Sequence, residues 1–494
     1  YFCKSDGKKR PLNIPSARDK IVQEAMRFLL MLVFEGDFSK NSHGWVTGRG
    51  CHTALNQIKM EFAHDSWFMK GDIEDQFSSL NHTVLVKLLK TKINDQTFID
   101  LIYKYLRVGY GETRENIGKM RIGTSQGGVL SSVLANVYMA PFDKSVETNL
   151  IPKYTKGKRR KANPVYTKML RKGKVMDHSV HSLYAYDRNF IRLHYVRYAD
   201  DFIMGLNGPK IYCKEIVNEC KIFLFEELKL TLNMEKTKII HSRSESAIFL
   251  GFRVHNTKLS KMKIAYNLKG KLSRRTTNAI LDGPIDRIVK KLNERGYTKK
   301  NGSPTRNGRF IHHTLYDMIE RYKMVEKGIL QYYKIANNYG RVAARIHYIL
   351  KYSCALTIAS KMKLNTLKRV FNRYGRSINI KDESGKIITN YPTVDYRRPK
   401  TFTIAPIVDY SSLEAYIDKY GRRVQRGRKD LHGPCILCGS IQDIEIHHIR
   451  KLSKTKRKDY LSNMMVRMNR KQVPVCKKCH IKIHQGLYDG KRVK

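Results

Sequence analysis

Apolar residues recur along the chain with two different periods, and these periods predict its elements. Helical spacing, with apolar residues three and four positions apart, covers residues 19–34, 84–108, 212–228 and 311–374. Shorter apolar runs suited to strands cover residues 67–77, 191–204 and 247–254, after which the strand pattern fades. The sequence therefore predicts a multidomain chain in which a mixed α/β region comes first and an α-helical region follows.

Two stretches interrupt this pattern. Residues 151–174 carry ten Lys and Arg, no Asp or Glu, two Pro and two Gly, which predicts an exposed basic insertion that we extend to residue 190. Residues 376–430 hold short polar pieces with several Pro and Gly, which predicts a linker or an irregular subdomain.

The net charge of the chain limits the classes of partner that it is expected to bind. It has 494 residues with 95 Lys and Arg against 43 Asp and Glu, a formal net charge of +52. This favours nucleic acid, because neutralising phosphates releases condensed counterions. An anionic membrane surface is the weaker alternative, since the basic residues are spread along the chain and the longest apolar run, residues 28–34, is too short to cross a bilayer. With 41% hydrophobic residues, we expect a folded, soluble protein with no membrane partner.

Three aspartates stand where a ligand can reach them. Asp200 and Asp201 follow Tyr198-Ala199 between two apolar runs, which places them at a predicted hairpin tip, and Asp72 follows another apolar strand. Mg²⁺ prefers oxygen ligands and commonly takes one or two carboxylates plus substrate phosphates. The acids therefore predict a divalent-cation site, with a solvated turn as the alternative.

The segments around these acids resemble the palm of reverse transcriptases. Gly71 to Phe77 places an aromatic residue five positions after Asp72, and Gly123 to Ser131 is a loop of small residues that leads into a helix. Further matches narrow the resemblance to the reverse transcriptases encoded by group II introns, the intron maturases. These matches lie at residues 7–15, 19–23, 230–237 and 249–252.

The resemblance implies a role for each residue of a polymerase site. Asp72, Asp200 and Asp201 would bind two Mg²⁺ ions, and the backbone carbonyl of Ile73 would face a metal. The residues expected to contact the incoming dNTP are Lys4 and Arg10 at its triphosphate, Phe77 at its ribose and Gln126 in its pocket. The alternatives are a plain core position for Phe77 and a frayed terminal lysine for Lys4. The family usually has Pro where Ser125 stands, and its N-terminal extension before the fingers is absent here.

Aromatic residues interleaved with Lys and Arg characterise residues 311–374. The mixture suits stacking on bases with charge on phosphates, while a packed helical bundle with a solvated basic face is the alternative. The stretch resembles the maturase thumb, called domain X, which implies a grip on the template–primer duplex and on intron RNA. The residues expected to bind RNA are Arg345, Lys351, Lys361 and Lys363.

Two Cys-x-x-Cys pairs near the end of the chain predict a metal site. Cys435 with Cys438, and Cys476 with Cys479, have the composition of a closed tetrahedral zinc site in a reducing compartment. Accidental cysteines are the alternative.

Four histidines lie between the two cysteine pairs or shortly after the second pair. His480 and His484 are four positions apart, so a helix would place both on one face. With His447 and His448, the pattern resembles an HNH nuclease of the ββα-metal type. That resemblance implies a divalent ion such as Mg²⁺ on His447, His480 and His484, with His448 as general base. A zinc-stapled DNA-binding knuckle without cutting is the alternative, and the group that orients the base stays open among Asn463, Asn469 and Gln472.

The order of these parts implies a right-hand reverse-transcriptase fold followed by a nuclease. The expected regions are residues 1–265 as N-terminally incomplete fingers and palm, 266–375 as helical thumb, 376–430 as linker and DNA-binding region, and 431–494 as zinc-stapled HNH nuclease. The chain begins at Tyr1 and its first methionine is Met26, which indicates a processed product or a fragment.

The implied function combines three activities: RNA-directed DNA polymerase, group II intron splicing maturase and site-specific DNA endonuclease, acting in intron mobility by target-primed reverse transcription. The implied partners are intron RNA, a template–primer, a double-stranded DNA target and dNTPs. The alternatives are a splicing-only RNA-binding protein with relic enzymatic sites, and a retroelement reverse transcriptase without a maturase role. Abundant Lys, Ile, Asn and Tyr suggest an AT-rich genome, which favours the mitochondrial matrix over a bacterial cytoplasm.

Overall fold

The structure is a computed structural model. It describes residues 2–3, 9–10, 15–107, 122–125, 127–172, 180, 182–184, 187, 189–257, 264–266, 272–274, 278–381, 384–391, 394, 396–397, 435, 437–448 and 472–485. The chain divides into two compact units, Tyr1–Pro406 and Ile407–Lys494.

The first unit combines short strands with helices of up to 23 residues. Its strands are β1 Phe2–Cys3, β2 Lys9–Arg10, β3 Trp67–Asp72, β4 Arg192–Tyr198, β5 Asp201–Asn207, β6 Lys238–His241, β7 Ala247–Phe249, β8 Phe252–His255, β9 Ile264–Tyr266, β10 Leu272–Arg274, β11 Ile280–Asp282, β12 Ile380–Lys381 and β13 Ile387–Thr389. Its helices are α1 Ala17–Phe34, α2 Cys51–Glu61, α3 Gln76–Ser79, α4 His82–Lys90, α5 Gln96–Arg107, α6 Ser131–Ser145, α7 Ile151–Tyr154, α8 Pro164–Arg171, α9 Lys210–Glu226, α10 Ile285–Glu294, α11 Leu315–Tyr333, α12 Tyr339–Lys361 and α13 Leu367–Tyr374.

A four-stranded antiparallel sheet with the order β4-β5-β3-β6 lies at the centre of the α/β region. Phe68, Val196 and Ile203 from its strands are fully buried in a core that also contains Ile58 and Phe62. Asp72 ends β3 and Asp201 begins β5, so both stand at the same end of this sheet. The predicted strand–turn–strand at residues 191–204 is confirmed as β4 and β5.

The helix predicted over residues 84–108 is two helices, α4 and α5. The backbone N–H of Phe98 donates to the Asp95 side chain at 3.1 Å, so Asp95 caps the start of α5. The apolar spacing alone had predicted one continuous helix across this position. Helix α1 covers the predicted span, and Ser16 caps it by accepting from the Asp19 N–H at 3.2 Å.

The strand predicted over residues 247–254 is a tight hairpin, β7 and β8. The turn residues Leu250 and Gly251 have φ values of 45° and 73°. The expectation that strands end near residue 254 is wrong, because β11 pairs with β8 and completes a three-stranded sheet. Strands of three residues are too short to show a period of two.

The helical region after residue 284 begins with α10, which the sequence pattern missed, and continues through α11, α12 and α13. Its core includes Ile346, Leu350 and Cys354 of α12, all fully buried. Tyr322 of α11 is also buried, and its hydroxyl is paired with Ser353 at 3.0 Å and Thr357 at 2.9 Å on α12. The predicted helical bundle is confirmed.

The second unit contains a strand pair and a helix. Strands β14 Ile444–His448 and β15 Gln472–Cys476 run antiparallel, and α14 Lys477–His484 follows β15 directly. The three elements form the ββα arrangement that the histidine pattern implied. Among the described residues, no helix of either unit has the length and apolarity needed to span a membrane.

Candidate functional site

The three aspartates converge at one end of the central sheet. Tyr198 and Asp201 face each other across the β4–β5 hairpin, so only Ala199 and Asp200 form its loop, and Ala199 has φ 59°. Asp72, the last residue of β3, lies opposite Asp201 on the neighbouring strand. Strand register therefore places all three carboxylates at the same sheet end.

A buried ion pair holds the hairpin loop from beneath. The guanidinium of Arg197, 1% exposed, donates to the Asp143 carboxylate of α6 at 2.7 and 2.6 Å and to the Ala199 carbonyl at 2.8 Å. Burial lowers the pKa of Arg197, but Asp143 raises it by more, so the guanidinium stays charged. Gly44 packs against the loop so closely that a Cβ there would lie 2.5 Å from the Ala199 nitrogen.

Two lysines lie beside the carboxylates. Lys236 Nζ lies 2.8 Å from Asp72 Oδ2, and Lys70 Nζ lies 3.1 Å from Asp201 Oδ1. Burial raises the pKa of the Asp201 carboxyl more than Lys70 lowers it, and Asp200 adds to the rise. Carboxylates gathered at one end of a sheet, two of them paired with lysine ammonium groups, are the kind of oxygen donor that Mg²⁺ prefers.

The expected nucleotide pocket is described only in part. Phe77 is half-buried, and its ring lies 5.4 Å from that of Trp45. Its carbonyl accepts from the Thr124 N–H at 2.7 Å, which joins the loop of small residues to α3. Ile73 is buried, and its N–H donates to the Asp200 carbonyl at 3.3 Å.

Three residues of that expected pocket have no described side chain. Lys4 and Gln126 lie outside the described residues, and Arg10 is described only as backbone, paired with Phe2. The alternatives stated for Lys4 and Phe77 therefore stay open.

The predicted RNA-binding residues of the thumb differ in their surroundings. Arg345 donates to the Gly302 carbonyl at 2.9 Å and Lys361 to the Ile311 carbonyl at 2.9 Å, so each fastens a loop to α12. Lys351 is half-buried and Lys363 is exposed. All four lie on or directly after α12.

The four cysteines of the second unit come together. The sulfurs of Cys435, Cys438, Cys476 and Cys479 all lie within 4.8 Å of one another. Burial raises the pKa of Cys435, but backbone N–H groups of Cys476 and Cys438 lower it by more, to about 6. Cys476 and burial raise the pKa of Cys479 to about 12, so the four neighbouring thiols do not ionise alike, and the donor set is that of a tetrahedral zinc site.

Three histidines form a second cluster. Donor nitrogens of His447, His480 and His484 lie within 4.8 Å of one another, with His480 Nε2 3.1 Å from His484 Nε2. Nδ1 of His480 is paired with Glu445 Oε2 at 2.5 Å, which leaves Nε2 as the ligand atom. These histidines and the cysteines are the groups of three or more such donors that the described part of the chain brings this close, and the three aspartates are not among them.

The proposed general base is located only by its backbone. His448 ends β14 and pairs with Gln472 of β15, while Asn463 and Asn469 lie outside the described residues.

Sequence reasoning missed several residues of these sites. Lys70 stands two positions before Asp72, and Glu445 two positions before His447, so the strand period places each on the same face as a predicted metal ligand. That period was the available signal. The Arg197–Asp143 pair joins residues 54 apart in sequence and gives no local signal.

Family comparisons match the three parts of the chain. The reverse transcriptase (RNA-dependent DNA polymerase) family matches residues 3–254, the type II intron maturase family residues 276–413, and the AI2M/AI1M-like HNH endonuclease family residues 435–480. A polymerase palm, a maturase region and a nuclease define a class of intron-encoded proteins. The chain belongs to the group II intron-encoded proteins.

Individual relatives agree with this. The chain is 37% identical to the putative COX1/OXI3 intron 1 protein of Saccharomyces cerevisiae, over 98% of this chain and 61% of that protein. It is 32% identical to the group II intron-encoded protein LtrA of Lactococcus lactis, over 97% of this chain and 84% of that protein. A solved telomerase from Candida albicans has a TM-score of 0.31 at 14% identity, over 73% of this chain and 55% of that one, which is too weak to support an inference.

The resemblance stated from the motifs is confirmed at the level of the family and its domains. The chain spans about three fifths of the length of its Saccharomyces cerevisiae relative. The roles of individual residues stay predictions.

Proposed function

We propose that the chain is an RNA-directed DNA polymerase, a splicing maturase and a DNA endonuclease in one protein. The observation that carries the polymerase assignment is the strand register that places Asp72 beside Asp201, with Asp200 in the adjoining loop. The family matches support the other two activities.

In the polymerase site, Asp72, Asp200 and Asp201 would hold Mg²⁺, with the carbonyl of Ile73 as a further ligand. Bound Mg²⁺ would lower the barrier to attack by the primer 3′-hydroxyl and neutralise charge on the leaving pyrophosphate. Lys236 is 63% exposed and free to move from Asp72 to a phosphate when substrate binds. Lys4 and Arg10 would contact the triphosphate of the dNTP, while Phe77 and Gln126 would line its sugar and base.

The test of this site is Asp200→Ala. We expect primer extension on an RNA template to fall by about 10³-fold or more, because the change removes a metal ligand worth several kcal/mol. Asp100→Ala, on an exposed face of α5, is the matched control and should keep full activity. Retained synthesis by Asp200→Ala would sink the assignment.

The maturase role would come from binding. A protein that binds the folded intron RNA and not its unfolded forms stabilises the fold by mass action, and the splicing chemistry remains with the RNA. Arg345, Lys351, Lys361 and Lys363 are the proposed contacts in the thumb. A splicing-only protein with relic sites would keep this role without polymerase activity.

In the nuclease, His447, His480 and His484 would hold one divalent ion, and the four cysteines would hold a structural Zn²⁺. The divalent ion would stabilise charge on the scissile phosphate. Glu445 positions His480 through its Nδ1, and His448 would accept the proton of the attacking water. The proposed substrate is double-stranded DNA at the site of intron insertion, nicked to expose a 3′-hydroxyl as primer.

The finer assignments follow the same proposal. The regions would be fingers and palm over residues 1–265, thumb over 266–375, linker and DNA-binding region over 376–430, and nuclease over 431–494. The intron-protein relative in yeast supports the mitochondrial matrix as location, with a bacterial cytoplasm as the alternative that the Lactococcus relative supports. Protease protection of the protein in isolated mitochondria would decide between them.

A further inference from the structure

Four side-chain hydroxyls meet at the loop of small residues that leads into α6. The hydroxyl oxygen of Tyr105, on α5, lies 2.6 Å from Ser131 Oγ and 3.2 Å from Ser125 Oγ. Thr124 Oγ1 lies 3.0 Å from Ser131 Oγ and 3.5 Å from the Tyr105 hydroxyl. Thr124 and Ser131 are buried, and Tyr105 and Ser125 are half-buried. The proposed activities assign no role to this hydroxyl cluster.

The hydrogen bonds of the cluster follow one order from donor to acceptor. Ser131 donates its hydroxyl proton to the Ser125 carbonyl at 2.7 Å, so the Ser131 oxygen accepts from a neighbour. The Tyr105 hydroxyl, at 2.6 Å, donates to that oxygen, and its own oxygen accepts from Ser125 or Thr124. Tyr105 therefore joins the first part of the loop, at Ser125, to the start of α6, at Ser131.

The cluster is packed so closely that the loop has no space for a side chain at Gly128. A Cβ there would lie 2.2 Å from the Tyr105 hydroxyl oxygen, 2.6 Å from Ser125 Oγ and 2.9 Å from Ser131 Oγ. The Ser125 carbonyl also accepts from the Gly128 N–H at 3.4 Å. The loop therefore closes around the Tyr105 hydroxyl, which belongs to a different element.

Backbone hydrogen bonds connect the same loop to the predicted nucleotide pocket. The Thr124 N–H donates to the Phe77 carbonyl at 2.7 Å, and the Val129 N–H donates to the Gln23 side chain of α1 at 3.0 Å. Phe77 and Gln126, which belongs to the loop, are the residues predicted to line the sugar and base of the dNTP. A shift of the loop would therefore change the predicted pocket.

We propose that Tyr105 is a positioning residue for dNTP binding, whose hydroxyl holds the loop of residues 123–131 in the conformation that the incoming nucleotide requires. Tyr105 acts through Ser125 and Ser131 and not by contact with the nucleotide. A loop that is already held in its binding conformation does not lose that conformational freedom when the ligand binds, so its affinity is higher. This role deepens the proposed polymerase function and rests on it.

The serine at position 125 explains why the loop needs this restraint. Proline, which the family usually has here, fixes its own backbone φ at about −65° without any partner, whereas serine leaves φ free to vary. In this chain the hydrogen bonds of Tyr105, Ser125 and Ser131 restrain the loop instead. Two restraints on one loop are interchangeable, so Ser125→Pro should make the Tyr105 hydroxyl dispensable.

The experiment measures primer extension by the full chain on an RNA template at varied dNTP concentration. Tyr105→Phe removes the hydroxyl and keeps the ring, and Tyr103→Phe is the matched control, since it makes the same change at a half-buried tyrosine of α5 outside the cluster. We expect the KM for dNTP to rise about three- to tenfold in Tyr105→Phe, the size of effect that hydrogen bonds of this kind give, with kcat within about twofold. Tyr103→Phe should keep the parental KM.

Double variants test whether the hydroxyl acts through the loop. In the Ser125→Pro chain, adding Tyr105→Phe should raise the KM for dNTP by less than about twofold, because the proline already restrains the loop. Ser131→Ala gives a second test without a backbone change. It removes the nearest partner of the Tyr105 hydroxyl, so adding Tyr105→Phe to it should again raise KM by less than about twofold.

The contrary results are equally clear. A parental KM in Tyr105→Phe would overturn the proposal, as would a fall in kcat alone together with a lower unfolding midpoint, because a merely structural hydroxyl changes the amount of active protein and not its KM. An equal rise in KM when Tyr105→Phe is added to the parent and to Ser131→Ala would also overturn it. A parent chain that makes no complementary DNA would overturn the polymerase function itself, so the two failures are distinct.

Discussion

At the scale of single residues, the β4–β5 loop that carries Asp200 depends on a group buried beneath it. Arg197 is buried, and its guanidinium donates hydrogen bonds to Asp143, Ser42 and the Ala199 carbonyl. Fully bonded buried charges of this kind fix a conformation that an alanine at positive φ would not prefer alone. The aspartates are therefore aligned by a network that lies under them.

Replacing Arg197 tests this support. We expect Arg197→Met to lower the free energy of unfolding by about 3–5 kcal/mol, because it leaves the Asp143 carboxylate buried without a partner. Arg253→Met is the matched control: Arg253 also pairs with an aspartate, Asp286, but both side chains are exposed, so the loss should stay within about 1 kcal/mol. Denaturant unfolding of both variants measures the difference, and equal losses would contradict the account.

His43 gives the same region a pH dependence. Burial lowers its pKa to about 4, while an unfolded chain protonates the imidazole near 6.5. Between these values the unfolded state binds the extra proton, so stability present above pH 6.5 is lost as pH falls toward 4, by about 3 kcal/mol for this group. We expect His43→Gln to flatten the fall in unfolding free energy over this range. Parallel curves for variant and parent would show that His43 does not titrate in this way.

At the scale of elements, the ββα unit brings its histidines together through the helix period of α14 and the strand period of β14. Helix α14 places His480 and His484 one turn apart, and strand β14 places Glu445 and His447 on one face. The Glu445 carboxylate on β14 is hydrogen-bonded to the His480 ring on α14. A metal site built on rigid elements in this way depends on the residue that orients its ligand.

Glu445→Ala tests that dependence. We expect affinity for Mn²⁺, measured by calorimetry, to fall by about 10–100-fold, with zinc content unchanged. Asp443→Asn is the control, because Asp443 is exposed and its backbone carbonyl accepts from the Lys477 N–H at 3.0 Å. His448→Ala should keep the metal affinity and lose DNA nicking. Unchanged metal affinity in Glu445→Ala would remove Glu445 from the site.

The same elements show what sequence could predict. Long periodic stretches such as α1, α9 and α12 were predicted because each turn repeats the signal. The break at Asp95 and the strand β11 were missed, because a single cap and a three-residue strand carry almost no periodic information. The convergence of His447, His480 and His484 was predicted from the histidine pattern, whereas Arg197 and Asp143 meet only through the tertiary fold.

At the scale of the whole molecule, the charge of +52 is divided among tasks. The helical region after residue 284, the basic insertion and the C-terminal unit each carry their own cations, while three of the 43 acids, Asp72, Asp200 and Asp201, meet at one end of the central sheet. Carboxylates at that end repel the phosphates that the rest of the chain attracts, unless divalent cations lie between them. Binding would therefore be spread over the surface, whereas chemistry would be confined to small sites.

That separation leads to one decisive measurement. A complex of the chain with the RNA of its intron is assayed in one sample for spliced exons and for complementary DNA, with parent and Asp200→Ala compared. The account predicts that Asp200→Ala splices at the parental rate and makes no complementary DNA. Loss of splicing in Asp200→Ala, with folding and RNA binding intact, would contradict it.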